Sequence, residues 1–187
     1  MELVQPIRDK NKIEAMKKIL KAQSLRDHCL FVLGINSGLR ISDLLSLKIS
    51  DVAEGKKIKD RITLRERKTG KLKDFPLGSS SVKALKEYLD SRGDYTADDW
   101  LFPSQKGGSI QRQHAWRILK EAAQAVGISE NIGTHSLRKT FGYWAFKNGA
   151  DITRIQKLLN HSSPGITLAY IGITREELDD IYLELNL

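Results

Sequence analysis

One change of hydrophobic period constrains the fold of this chain more than any other feature. Along most of the sequence apolar residues recur at helical spacing, as with Ile13, Met16, Ile19 and Leu20 over residues 9–22. Residues 24–38 read as a second helix, with Ser24 as N-cap and Gly38 as terminator. Leu25, Cys29, Leu30, Val32, Leu33 and Ile35 make that helix apolar enough to be buried, and a short helix follows from Ser42. Between Lys57 and Leu77 the period becomes two. Ile58, Ile62 and Leu64 alternate with charged residues, Lys68-Thr69-Gly70 makes a turn, and Leu72 and Phe75-Pro76-Leu77 return. Helical spacing then resumes over 81–91, 110–126, 134–147, 151–160, 163–171 and 174–185. The expected class is mixed and mainly α, with one small antiparallel β-sheet ending in a basic hairpin tip.

The 187 residues suffice for one domain with a real core, and no repeat or long linker divides them. We read 1–187 as that domain, with an N-terminal helical segment in 1–23 and a C-terminal helix in 174–187. A net charge of +8 and a pI near 9.5 favour a polyanionic partner, although many basic proteins share that balance. Cys29 is the single cysteine, so neither an internal disulfide nor a thiolate metal site is expected, and its apolar run marks it as a small core residue. No apolar run reaches the roughly 18 residues that a membrane helix needs. We therefore expect a reduced, cytoplasmic protein with no membrane partner. Phosphate-loop, serine-elbow and zinc-protease motifs are absent from the sequence, so those chemistries have no support in it.

What remains is a set of Arg, Lys, His and Tyr residues. In Gly133-Thr134-His135-Ser136-Leu137-Arg138-Lys139-Thr140-Phe141, Thr134 as N-cap puts His135 and Arg138 on one face of a first helical turn, with Leu137, Phe141 and Trp144 opposite. A cation and an imidazole at a helix N-terminus could cradle a phosphate. They could equally be surface neighbours. In Leu159-Asn160-His161-Ser162-Ser163-Pro164, Ser163 and Pro164 start a helix that carries Tyr170 about two turns in. Taken alone, Tyr170 reads as a rim aromatic.

Together these segments resemble the tyrosine recombinase, or phage integrase, catalytic domain. Gly38-Leu39-Arg40-Ile41-Ser42-Asp43-Leu44 resembles that family's first-arginine box, and His135-Ser136-Leu137-Arg138 its His-x-x-Arg box. Leu159-Asn160-His161-Ser162-Ser163, with Tyr170 nine residues after His161, resembles the last histidine and nucleophile boxes, and Lys68 the hairpin lysine. The elements stand in the family's order over about residues 24–187.

The resemblance implies site-specific DNA recombination through a 3′-phosphotyrosyl link, with Tyr170 as nucleophile. Arg40 and Arg138 would clamp the phosphate as planar forks, a task lysine performs less well. Lys68 would protonate the departing 5′ oxygen, with Lys71 as its rival in the same hairpin. His135 is a candidate base or orienter of Tyr170, His161 a donor to a phosphate oxygen, and Asp43 a support for Arg40. Arg65, Arg67, Lys71, Lys73 and Lys139 are candidate DNA contacts, while His28 and His114 match nothing. No cofactor and no metal is implied.

The implied partner is double-stranded DNA, with four protomers on two synapsed duplexes, a monomer when free, and room for accessory DNA-binding proteins. Most members carry a further N-terminal helical domain that closes a clamp on DNA. The 25 or so residues before the second helix are too few for it, so the sequence resembles the short, single-domain members. Two rivals are kept: a DNA-binding regulator on the same fold, and a relaxase like the type IB topoisomerases. In the tail Thr174 and Glu177 make a capping box, Leu178, Ile181, Tyr182 and Leu185 make an apolar stripe, and one Arg stands against five acids over 174–187, so it belongs against protein rather than DNA. It would dock either on its own core or on a neighbouring protomer.

Overall fold

A computed structural model describes residues 4–185. Helix α1 (Lys10–Gln23) starts at Asp9, whose carboxylate accepts the amides of Asn11 and Lys12. Helix α2 (Leu25–Ser37) starts at Ser24, which accepts from the Asp27 amide, and stops at Gly38, where φ is 59°. The ends at Ser24 and Gly38 follow the sequence, because each signal lies within three residues of the turn it closes. Buried on nearly every side, α2 is the central element, with Cys29, Leu30 and Phe31 fully enclosed.

Short helices α3 (Ile41–Leu45) and α4 (Ile49–Val52) follow. The second has no periodic signal. The Asp51 carboxylate holds it by accepting the Lys48 amide at 2.7 Å. Strand pairing also departs from expectation. Among the described residues there are two separate two-stranded antiparallel sheets, not one. Strands β1 (Ala53–Glu54) and β2 (Lys57–Ile58) close a hairpin over Gly55, at φ 58°. Strands β3 (Arg61–Arg65) and β4 (Leu72–Pro76) form the expected basic hairpin, with Leu64 opposite Lys73. Ile58 therefore pairs backward with Ala53 and does not extend the second sheet.

Helices α5 (Ser79–Arg92), α6 (Arg112–Ala125), α7 (Thr134–Lys147), α8 (Ile152–Leu158), α9 (Pro164–Ile171) and α10 (Arg175–Leu185) complete the order. Helix α7 joins two apolar clusters. Its Leu137 lies in the main core, close enough to α2 that a Cβ on Gly34 would sit 2.6 Å from Leu137 Cδ1. Its Tyr143 belongs to a small second cluster with Ile155, Leu159 and Ile171, which seats α8 and α9. The N-terminal residues strap α7 from outside: the Ile7 amide donates to Thr140 Oγ1 at 2.9 Å, and the Ile7 carbonyl accepts from Trp144 Nε1 at 3.0 Å. None of the described helices is long and apolar enough to cross a membrane.

Candidate active site

The left-handed turn at Gly38 sends Leu39 into the core and leaves Arg40 at the cavity, on the N-cap of α3. Glycine is required at 38 twice over, since a Cβ there would also meet the Phe141 ring at 2.6 Å. Opposite stands the first turn of α7. Its N-cap is Gly133, not Thr134. Thr134 is already helical, and Ser136 Oγ accepts the Gly133 amide at 3.0 Å. The shift leaves the phase of the helix unchanged, and His135 and Arg138 both face the cavity.

Arg138 is 4% exposed and serves as a staple. Its Nη1 donates to the Gly38 carbonyl at 2.5 Å and its Nη2 to the Leu159 carbonyl, so it fastens the segment bearing Arg40 to the segment bearing His161. Asn160 follows in the left-handed region at φ 48°, and His161 then turns into the cavity. His161 Nδ1 lies 3.1 Å from Thr167 Oγ1, whose own hydrogen goes to the Ser163 carbonyl. Thr167 is thus an acceptor for Nδ1–H and fixes the imidazole plane. Its hydroxyl was not singled out in the sequence. Tyr170, one turn further along α9, meets the His161 ring edge-on with centroids 4.8 Å apart.

All six residues implied by the resemblance (Arg40, Lys68, His135, Arg138, His161 and Tyr170) line one cavity of about 580 Å³. Lys68 reaches it from the turn between β3 and β4; Lys71 does not line it. Arg112, at the start of α6, lines it too, with Nη2 3.2 Å from His135 Nε2. Burial and the neighbouring Arg112 depress the His135 pKa, so this imidazole is held neutral with Nε2 accepting. Burial, then Arg138 and Arg40, likewise depress His161. Burial raises the Tyr170 hydroxyl above its ordinary value, against the opposing pull of Arg138 and Arg40.

The supports differ from those expected. Asp43 does not pair with Arg40. Its Oδ1 accepts the Arg67 amide at 2.9 Å and so anchors the hairpin. The partner of Arg40 is Glu66, with Nη1 2.7 Å from Oε2. Of the five candidate DNA contacts, Arg65, Arg67 and Lys71 are exposed. Lys73 is turned inward, its ammonium 3.3 Å from the Ser37 and Gly38 carbonyls, and burial lowers its pKa to about 8. Lys139 is 8% exposed and lies over the Tyr170 ring at 5.2 Å. Leu72 and Lys73 thus exchange the faces expected of them, Leu72 being 62% exposed. The signal was in the sequence: Lys73 shares strand phase with Phe75, just as Glu66 shares it with Ile62 and Leu64. His28 lies away from the site, with its pKa depressed by burial.

Among the described residues, no group of three or more His, Cys, Asp or Glu converges to hold a metal. Of the solved structures, XerA recombinase superposes with a TM-score of 0.79 at 26% identity, over 100% of this chain and 67% of that one. XerH site-specific recombinase bound to its difH substrate superposes with a TM-score of 0.73 at 20% identity, over 97% of this chain and 55% of that one, a likeness of fold. The Probable integrase/recombinase YoeC of Bacillus subtilis is 44% identical over 177 residues, 94% of this chain and 93% of that protein. Tyrosine recombinase XerC of Pelobacter propionicus is 35% identical over 84% of this chain, which spans only 51% of that relative's length. The Phage integrase family model matches residues 8–177. With that match covering nearly the whole chain, and with the arginines, histidines and tyrosine that the resemblance implies gathered around one cavity, this chain belongs to the phage integrase family.

Proposed function

We propose that this chain is a tyrosine recombinase, a DNA strand transferase that cuts and rejoins DNA through Tyr170. The observation that carries this reading is the convergence of a tyrosine, two arginines, two histidines and a lysine from separate segments on one cavity. Tyr170 Oη attacks the phosphorus while the bond to the 5′ oxygen breaks, giving a 3′-phosphotyrosyl link and a free 5′-hydroxyl. Lys68 supplies the proton that the departing alkoxide needs. Arg40 and Arg138 hold the non-bridging oxygens as charge grows on them. The 5′-hydroxyl of a partner strand then reverses the step, and the bond energy stays in the phosphotyrosine.

Two features of the free site prepare it for substrate. Arg112 occupies the His135 lone pair, so an incoming phosphate that draws Arg112 away frees that imidazole to take the Tyr170 proton. His161 in its Thr167-bonded tautomer presents a bare Nε2, and a phosphate anion raises its pKa until it donates. A pure DNA-binding regulator needs neither a nucleophile nor an acid at this cavity, so that rival is disfavoured.

Double-stranded DNA is the substrate, and four protomers on two duplexes would carry out exchange in the cytoplasm. The tail supports assembly. Thr174 and Glu177 form the expected capping box, at 3.1 and 3.2 Å. Glu177 also accepts from Tyr143 Oη at 2.8 Å, which ties only the start of α10 to α7. Beyond it Leu178, Tyr182, Leu183 and Leu185 are exposed, by 45% to 80%, and docking on a neighbouring protomer would cover them. The side chain of Ile181, expected on the same stripe, lies outside the described residues, as do residues 186–187.

The test is a nicked suicide duplex. The chain should yield an SDS-stable adduct that survives excess EDTA, and Tyr170→Phe should abolish it while leaving DNA binding intact. An adduct that persists in Tyr170→Phe refutes the assignment, and loss on chelation restored by magnesium refutes the metal-independent mechanism.

A further inference from the structure

We propose that Glu66 is the positioning residue of this site, a buried carboxylate whose Oε2 holds Arg40, the turn bearing Lys68 and the loop bearing His161 in one register. The inference rests on reading the site as a strand-transfer centre. The Glu66 side chain is 0% exposed. Its Oε2 is ion-paired with Arg40 Nη1 at 2.7 Å and accepts from Thr69 Oγ1 at 2.7 Å and from Asn160 Nδ2 at 2.9 Å. Thr69 is the neighbour of Lys68, and Asn160 the neighbour of His161. The Glu66 backbone closes the same turn, its amide donating to the Lys71 carbonyl at 2.9 Å and its carbonyl accepting from Gly70 at 2.8 Å.

An acid beside a phosphate site requires a reason, since it repels the substrate and is costly to bury. The reason lies in its acceptor capacity. A carboxylate has no hydrogen to place, so one oxygen can accept a hydroxyl and an amide on its two lone pairs while its charge pairs with a guanidinium. A glutamine could offer its oxygen to the same donors but would lose the charge that draws Arg40 in.

Asn160 supplies a second, independent observation. It is the one non-glycine at positive φ among the described residues, a conformation that needs an external hold. The Glu66 contact supplies that hold, and the chain leaves Asn160 directed so that His161 enters the cavity. Asp43 reinforces the arrangement from below by fixing the Arg67 amide.

The experiment follows single-turnover adduct formation and amide hydrogen exchange in the intact chain. Glu66→Ala should slow the adduct by about 10²-fold, the loss expected when catalytic groups shift by about 1 Å, with DNA binding little changed. Exchange should rise together in residues 66–71 and 159–162. Combined with Lys68→Ala, the loss should fall well short of the product of the single losses, because Glu66 acts in part through Lys68. An adduct rate near that of the wild type, fully multiplying losses, or loosening confined to the hairpin would overturn the proposal. Should Glu66→Ala fail to fold, Asn160→Gly decides the matter. Glycine relaxes φ 48° and removes the tether, so a slowed adduct supports positioning and an unchanged rate overturns it. A wild-type chain that forms no adduct refutes the strand-transfer reading, while exchange in the two segments still decides whether Glu66 ties them.

Discussion

Helix α9 carries the proposed nucleophile and is seated on α7 through Ile171, so the point of contact can be perturbed without touching any group proposed to meet DNA. Gly142 is that point. A Cβ there would lie 2.6 Å from Ile171 Cγ2 and 3.2 Å from Leu159 Cδ1, both of them residues with no exposed surface. Ordinary carbon contacts are about 3.5–4.0 Å, so Gly142→Ala must separate the helices by about 1 Å. The branched Ile171 cannot swing Cγ2 aside without leaving its rotamer. Overpacking costs about 1–3 kcal/mol, and alanine returns about 1 kcal/mol of helix propensity. The net loss is about 0–2 kcal/mol, or up to about 8 °C in Tm at 2–4 °C per kcal/mol for a chain of this size. The effect on chemistry should be larger. With Tyr170 adjacent to Ile171, a 1 Å shift predicts about 10²-fold slower adduct formation. Adding Ile171→Ala removes the clashing methyl, so the double variant should be more stable than the sum of its parts by roughly 0.5–3 kcal/mol. Thermal unfolding and single-turnover cleavage read the two effects separately. If Gly142→Ala cleaves at the wild-type rate with Tm unchanged or raised, the seating of α9 does not govern Tyr170 and the reasoning fails.

Lys68→Ala should slow cleavage of a normal phosphodiester by roughly 10²–10⁴. A 5′-bridging phosphorothiolate, whose thiolate leaves without a proton, should restore most of the rate. Rescue of Lys71→Ala in its place would move the role to Lys71. Deleting residues 174–187 removes the Glu177 bonds to Tyr143 and Lys147 and, among the described residues, no buried apolar side chain. It should cost little Tm, leave DNA binding in place, and abolish exchange between duplexes. A large fall in Tm with exchange intact would show that α10 serves its own core.

Most helices were legible because their signals are short-range. Ser24 and the Thr174–Glu177 box each act over three residues and cap where the sequence puts them, and Asp9 caps the helix expected over residues 9–22. The short α4 and the β1–β2 hairpin were not legible, since four and two residues carry no period. The order of the boxes picked out six residues that line one cavity. It did not identify their supports. Asp43, three residues from Arg40, was the natural local partner, yet the chain turns at Gly38 and places Arg40 against Glu66 of the hairpin.

The sequence by itself therefore determined the order of the longer elements, the family and which residues line the cavity, because periodicity, caps and motif spacing are properties of neighbours along the chain. Only the tertiary structure decided the partnerships: Arg138 stapling Gly38 to Leu159, Glu66 gathering Arg40, Thr69 and Asn160, and Lys73 turning inward under the site. All of these bonds except Glu66–Thr69 join segments far apart in sequence, and which of several chemically suitable partners is chosen depends on how α7, the hairpin and the α8–α9 turn pack. A buried ionic group takes whichever opposite charge the packing brings within reach, and local spacing carries no record of that distance.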